Sequence, residues 1–268
     1  VTDCDGTVSS VPSMENVVCT IPVVNEWLEI EIDTSIIAVS SDTEFRIYIS
    51  KGSFEIDKGD GSPIEYYSGN LGRFNLSYSV SGVYTVRIKG SGDLGLYYSN
   101  NDADGEKITK VTNVGGGMFN GLNMFIGCEN AVFSATDSMN IYNSLTTTFA
   151  FATLMVTPPL MNVGMVSNFV QMFRSTSMDA NLGYWDIRSA TNMTGFAQYS
   201  NAWSTANYNA TLMGWLRMES GDTAPPTGWI LKSNVPLHSG NAVATGDGLV
   251  ARNILINTFN WTITDSTP

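Results

Sequence analysis

The 268 residues include 13 basic and 25 acidic side chains, a net charge of −12, with 43% hydrophobic and only 14% charged. That balance repels dense negative charge, so nucleic acid and anionic membrane surfaces are not expected partners. No apolar run reaches the roughly 20 residues that span a bilayer, which argues against membrane insertion, and the length suits two or three structural units.

Residues 1–25 read as an N-terminal extension or arm. The opening VTDCDGTVSS has neither the charged n-region nor the apolar h-region of a signal peptide, so a leader is expected to be absent or already removed. Three cysteines permit at most one internal disulfide. Cys4 and Cys19 are near enough in sequence to staple this arm in an oxidising compartment, which leaves Cys128 as a buried apolar filler. A single histidine, His238, and no CxxC pair argue against zinc and against hydrolysis with an imidazole base.

Residues 26–100 alternate between apolar and polar in WLEIEIDTSIIAV, EFRIYIS, SFEID, FNLSYSV and VYTVRIKG. Such runs, punctuated by Gly, Asp, Asn and Pro, predict short antiparallel strands that bury one face, as in a β-sandwich. Within DKGDGS, the Asp-Gly pair supplies the positive φ of a tight turn. Asp57 and Asp60 therefore read as turn residues rather than a carboxylate pair for catalysis or metal. In YSVSGVYTV, Gly82 lets the chain turn into the last strand. Together these two stretches resemble the WGDG and HxYxxxGxYxV signatures of polycystic-kidney-disease (PKD) sandwiches, with Lys58 in place of the usual Trp and Leu76 in place of the usual His.

The following NNDADG has the N-x-D-x-D-G opening of a calcium loop, with Asp102 and Asp104 as candidate ligands. Its twelfth position is Val111 instead of the bidentate Glu, which excludes an EF-hand. The competing reading is an acidic connector between two domains.

Residues 101–202 repeat. Phe125, Phe149, Phe173 and Phe196 are spaced by 24, 24 and 23 residues, and Leu145, Phe169 and Met193 keep nearly the same period. A period in the range of roughly 20–29 residues belongs to leucine-rich repeats, where stacked units each add a short strand to one core. Strands are predicted at 107–113, 131–137, 154–160 and 178–185, with the phenylalanines stacked inside and Val132, Val156 and Ala180 inward. Alternation then turns Phe133, Met155, Thr157, Asn181 and Tyr184 outward, as candidate residues for binding a partner.

The wording of the repeats resembles BspA-like leucine-rich-repeat surface proteins: MFIGCENA at 124–131, YWDIRSATNMTGF at 184–196, NYNATLMGW at 207–215 and NWTITD at 260–265. The resemblance implies a mainly β chain with short helices, a PKD-like β-sandwich followed by a leucine-rich-repeat-like solenoid and a C-terminal cap at 203–268. It also implies display at a cell surface, adhesion to proteins or glycans there, and no catalysis; calcium is the only cofactor considered. An alternative is a phage virion part, such as a capsid decoration, tail or host-recognition component, which would assemble as a homo-oligomer. A third reading, a carbohydrate-binding module, rests on Trp203, Tyr208, Trp215 and Trp229. Against it, Leu212, Trp215 and Leu216 at i, i+3 and i+4 predict a capping helix started by the polar residues 204–209.

Overall fold

The computed structural model describes residues 26–96, 103–115 and 118–266. Cys4, Cys19 and Asp102 lie outside them. Among the described residues the chain is mainly β, with two short helices and mixed sheets, none of them closed.

β1 spans Leu28–Asp33 and β2 spans Glu44–Asp57. Leu28, Ile30 and Ile32 in β1, and Phe45, Ile47 and Ile49 in β2, are all buried, because alternate side chains of a strand share a face. Further along β2 the phase changes, and Phe54 and Ile56 become the buried residues. A register shift between Ile49 and Lys51, where β2 pairs with β5 (Val83–Gly95), absorbs the odd residue. Both apolar sets thus stay inward. The two backbones nearly touch here: a Cβ on Gly52 would overlap the Ser91 carbonyl oxygen, and one on Gly90 the Ser53 carbonyl oxygen.

β3 (Glu65–Ser68) and β4 (Gly72–Ser77) pair with the side of β2 away from β5. In the turn before β3, Gly59 N–H donates to Asp57 Oδ1 and Ser62 N–H to Asp60 Oδ1, each at 2.9 Å. Tyr78 stacks on Tyr84 with 4.1 Å between ring centroids and donates to the Lys58 carbonyl, which fastens this turn to β5.

β6 (Ile108–Val114) pairs antiparallel with β1 and leads into the repeating part. Around Phe149, Thr148 N–H donates to Leu145 O, Ala150 N–H to Thr147 O and Ala152 N–H to Phe149 O, giving three tight turns in succession. The first and third of these hold a residue at positive φ, Thr147 at 52° and Phe151 at 64°, as turns with a left-handed third residue require. Both positions recur every 24 residues: Asn123, Thr147, Gln171 and Gly195 form one series, and Gly127, Phe151, Ser175 and Tyr199 the other. Main-chain bonds tie each unit to the next, from Phe125 N to Thr148 O (2.8 Å), Phe149 N to Met172 O (3.0 Å) and Phe173 N to Phe196 O (2.7 Å). The rings of Phe125 and Phe149 lie 5.5 Å apart and those of Phe149 and Phe173 5.7 Å apart, both pairs nearly parallel.

The predicted strands fit less well. β7 (Met118–Phe119), β9 (Ser138–Ile141) and β10 (Leu160–Asn162) run parallel beside β5, and β8 beside β6 is only Val132–Phe133. In 154–160 the residues before Leu160 are not strand, since Pro158 and Pro159 have no N–H to donate to a ladder. In 178–185 the donors are spent elsewhere: Asp179 N on Val156 O, Leu182 N on Thr211 Oγ1 and Gly183 N on Asn181 Oδ1. Val132 and Val156, expected inward, are about half exposed, while their neighbours Ala131 and Met155 are buried. Ala180 is buried as expected.

Helix α1 (Thr205–Trp215) starts at Ser204, whose Oγ accepts from Asn207 N–H, and buries Tyr208, Leu212 and Trp215. β11 (Pro236–Val243), helix α2 (Gly246–Phe259) and β12 (Thr262–Ser266) follow, with β11 and β12 parallel. β11 also continues the stack, because Met193 N–H donates to Pro236 O (3.0 Å) and Ala197 N–H to His238 O (2.8 Å). Trp203, Tyr208 and Trp215 are core residues, so they do not form an exposed aromatic platform.

Candidate binding surface

The parallel pairing of β9 with β10 sets Ser138 beside Leu160 and Asn140 beside Asn162, all four exposed. Next to β10 the segment 184–186 completes an open cleft of about 310 Å³, lined by Ser138, Leu160, Met161, Asn162, Val163, Tyr184, Trp185 and Asp186. Tyr184 is 46% exposed and meets Trp185 edge-on, at 6.2 Å between centroids. Trp185 is held from below by Phe169 and Phe173, at 6.0 and 6.2 Å. Burial pushes the Tyr184 hydroxyl up from its ordinary value, so it stays a neutral donor and acceptor.

The acidic wall of the cleft is already neutralised. Arg188 grips Asp186 with Nη2 at 2.6 Å from Oδ2 and Nε at 2.9 Å from Oδ1, and this pairing holds the Asp186 carboxyl below its ordinary range. The Arg188 guanidinium lies 4.5 Å from the centre of the Trp229 ring, and Arg217 lies 4.9 Å from the same ring. Trp229 thereby fastens the loop between α1 and β11 to the rim of the cleft, a cation–π arrangement favoured when partly desolvated.

The five expected partner-binding residues separate. Tyr184, Thr157 and Asn181 are exposed, and Tyr184 lines the cleft; Asn181 closes a local turn by accepting from Gly183 N–H (2.8 Å). Met155 is 1% exposed and belongs to the core. Phe133 is half-buried, its ring edge-on to Phe125 and Phe149 at 5.3 and 5.4 Å. The two expectations fail differently: in β8 the alternation runs one residue out of step, with Val132 outward and Phe133 packed inward, whereas Met155 lies outside any strand, where no such alternation applies.

A second surface feature escaped the sequence reading. Arg174 lies 5.4 Å from the Phe151 ring centre and 5.3 Å from that of Tyr199, two exposed aromatics at equivalent left-handed positions of alternate units. Their spacing of twice 24 residues was the available signal.

Asp104 is turned into the protein. Its carboxylate accepts from the N–H groups of Val39, Ser40 and Arg46, at 3.0, 2.9 and 2.7 Å, and from the Ser40 hydroxyl. Lys107 Nζ lies 3.9 Å away, both side chains are wholly buried, and Lys107 also donates to the Ser41 and Glu44 carbonyls. Surrounded by donors and an ammonium, these oxygens suit an internal anchor instead of a calcium site. Among the described residues no three His, Cys, Asp or Glu side chains are grouped to hold a metal, and none of the helices is long and apolar enough to cross a membrane. His238 accepts from Gly240 N–H through Nδ1. Cys128 is buried, which pushes its thiol up.

Comparisons of the chain with family models, with curated proteins and with solved structures found no match.

Proposed function

We propose that this protein is a non-enzymatic, surface-displayed binding module, with a PKD-like sandwich carrying a short leucine-rich-repeat-like solenoid whose exposed face around Tyr184 meets the partner. The observation that carries this reading is the placement of Tyr184: an exposed aromatic held rigid by a buried Trp185 and flanked by exposed polar residues on stacked parallel strands. Rigid aromatic anchors with a polar surround are the usual energetic centres of binding sites. In this view the 24-residue stack is scaffolding, and α1 with β11 and β12 caps its last unit. The test is binding of the purified chain to immobilised extracellular-matrix proteins and glycans. A Tyr184→Ala chain should lose at least tenfold in affinity while its melting temperature is unchanged.

A second reading, a virion component, draws on a different feature. Val132, Leu154 and Val156 are each at least half exposed, the kind of apolar surface that subunit contacts cover. Light scattering separates the two: a symmetric oligomer supports the virion part, and a monomer supports the tethered module.

A further inference from the structure

We propose that Arg174, clamped between the rings of Phe151 and Tyr199, is a docking point for a carboxylate side chain of a partner protein. The inference goes beyond the Tyr184 reading, since the two surfaces share no residue.

The first argument is a guanidinium without an acceptor. Arg87 pairs with Glu29 and Asp57, Arg188 with Asp186 and Arg252 with Asp265, while Arg46 donates to Asn75 and Arg217 to the Gly183 carbonyl. To Arg174 the described residues offer two aromatic rings, at 5.4 and 5.3 Å from their centres, and no hydrogen-bond acceptor. The residue is half-buried. Of its side-chain nitrogens Nε alone is sealed off without a partner, so the terminal Nη pair stays open to solvent.

The second is that the repeat does not call for these side chains. At the same 24-residue spacing, the positions equivalent to Arg174 hold Ile126, Ala150 and Gln198, and those equivalent to Phe151 and Tyr199 hold Gly127 and Ser175. Main-chain bonds from Phe151 N–H to Arg174 O (2.8 Å) and from Ser175 N–H to Gln198 O (2.9 Å) already join the units. Phe151 and Tyr199 have φ of 64° and 62°, a left-handed conformation that bulky residues rarely adopt. Three side chains that stacking does not require thus converge at one spot, two of them against their backbone preference.

The third is chemistry. A guanidinium held between two rings keeps its plane, and its Nη fork then donates two parallel bonds to a carboxylate. One guanidinium matches one carboxylate, and the chain's −12 net charge opposes polyanions and a second copy of itself. Tyr199, 63% exposed, also borders an open hollow of about 420 Å³ with Thr153, Ser175, Ser177 and Asn201, and no acidic side chain lines it. These hydroxyl and amide groups suit the main-chain N–H and C=O groups that flank an acidic side chain. Both rings are turned to the guanidinium and do not form a platform for a sugar, and Arg and Tyr are the residues enriched at the energetic centres of protein interfaces.

The test uses the full chain with isotope-labelled arginine, titrated at low salt with the capped peptide acetyl-Gly-Gly-Glu-Gly-Gly-amide, with its Gln counterpart and with trigalacturonate. The Arg174 Nε–H signal is followed on the protein, and saturation-transfer NMR on the ligands. The expected result is a saturable shift of the Arg174 signal with the Glu peptide, at least tenfold weaker with the Gln peptide and weakened by salt. Arg174→Gln, which copies Gln198 of the next unit, should weaken peptide binding at least tenfold at an unchanged melting temperature. Tyr199→Ser, which copies Ser175, should weaken it severalfold, and Tyr184→Ala should leave it unchanged. If Arg174→Gln unfolds, Arg174→Lys decides: it keeps the charge and loses the planar fork, and binding should fall at least threefold. The assignment is overturned by an Arg174 signal that does not move at high-millimolar Glu peptide, by equal binding of the Glu and Gln peptides, or by binding that survives the Arg174 variants. Tighter binding of trigalacturonate than of the peptide overturns the protein partner in favour of an acidic glycan.

Discussion

Phe173 meets Phe196 edge-on, with centroids 5.2 Å apart and planes at 89°, although Phe149 meets Phe173 nearly face to face at 7°. The change of geometry has a cause in register. The residue equivalent to Phe125, Phe149 and Phe173 in the fourth unit is Ala197, which makes the corresponding main-chain bond to His238 O. Phe196 takes the place held by Met124, Thr148 and Met172, each buried. The spacing of 23 in the sequence is thus a side chain moved by one position inside a constant period of 24.

Removing a parallel ring opens a cavity between two others. Phe149→Ala and Phe173→Ala are each expected to cost about 3–5 kcal/mol, measured by urea unfolding. Values within error of wild type would mean that the stack is not a packed core.

Backbone strain in the repeat is relievable at one position. Ser175 has a φ of 56° where the first unit has Gly127. A left-handed conformation costs an L-residue roughly 1–2 kcal/mol, and glycine returns part of that gain through its looser unfolded chain. Ser175→Gly should raise stability by about 0.5–1 kcal/mol, read as a higher urea midpoint at unchanged slope.

The Asp104 anchor gives a larger effect of opposite sign. Asp104→Ala strips three backbone N–H groups of their acceptor and leaves the buried Lys107 ammonium without its counter-charge. A loss of about 3–5 kcal/mol is expected. Calcium and a chelator should leave the melting temperature of the wild-type chain unchanged; a calcium-dependent rise would show that the 100–105 segment binds the ion after all.

Glu106 supplies a pH test. Burial raises its pKa above the ordinary carboxylate value, and its Oε2 is buried without a partner. An acid whose folded pKa lies above its unfolded one is deprotonated first in the unfolded chain. Stability therefore declines as pH rises from the unfolded value toward the folded one, and the penalty persists above it. Glu106→Gln should stabilise at pH 7, with the advantage vanishing in acid below the ordinary carboxylate range. Equal melting temperatures of the two chains at pH 7 would remove Glu106 as a liability.

How much of this was readable beforehand varied with the kind of signal. Strict alternation in LEIEID and EFRIYI marked β1 and the start of β2 because one face is buried. The repeat was visible through its phenylalanines and through the matching Leu145, Phe169 and Met193. What fails is the segment after each run of tight turns: of 131–137, 154–160 and 178–185 only Val132–Phe133 and Leu160 are strand. Pro158 and Pro159 have no N–H and the donors of 178–185 are spent elsewhere, so a period-2 pattern does not apply. That is why Tyr184 was placed correctly outside and Met155 was not. Helix α2 also went unseen: its buried residues Gly248, Ala251, Leu255 and Phe259 recur at helical spacing, but two are small and its first turn contains Gly246 and Gly248.

The bonds from Met193 and Ala197 to β11 bear on the order of synthesis. Each earlier unit finds its partner carbonyls about 24 residues downstream, whereas Ala197 must wait for His238, 41 residues later. At roughly 5–20 residues per second on a ribosome, the last unit stays an unpaired edge for several seconds, and an unpaired edge is a template for pairing with another chain. The length of the segment between Trp203 and Val235 sets how long the newborn protein is exposed to its neighbours.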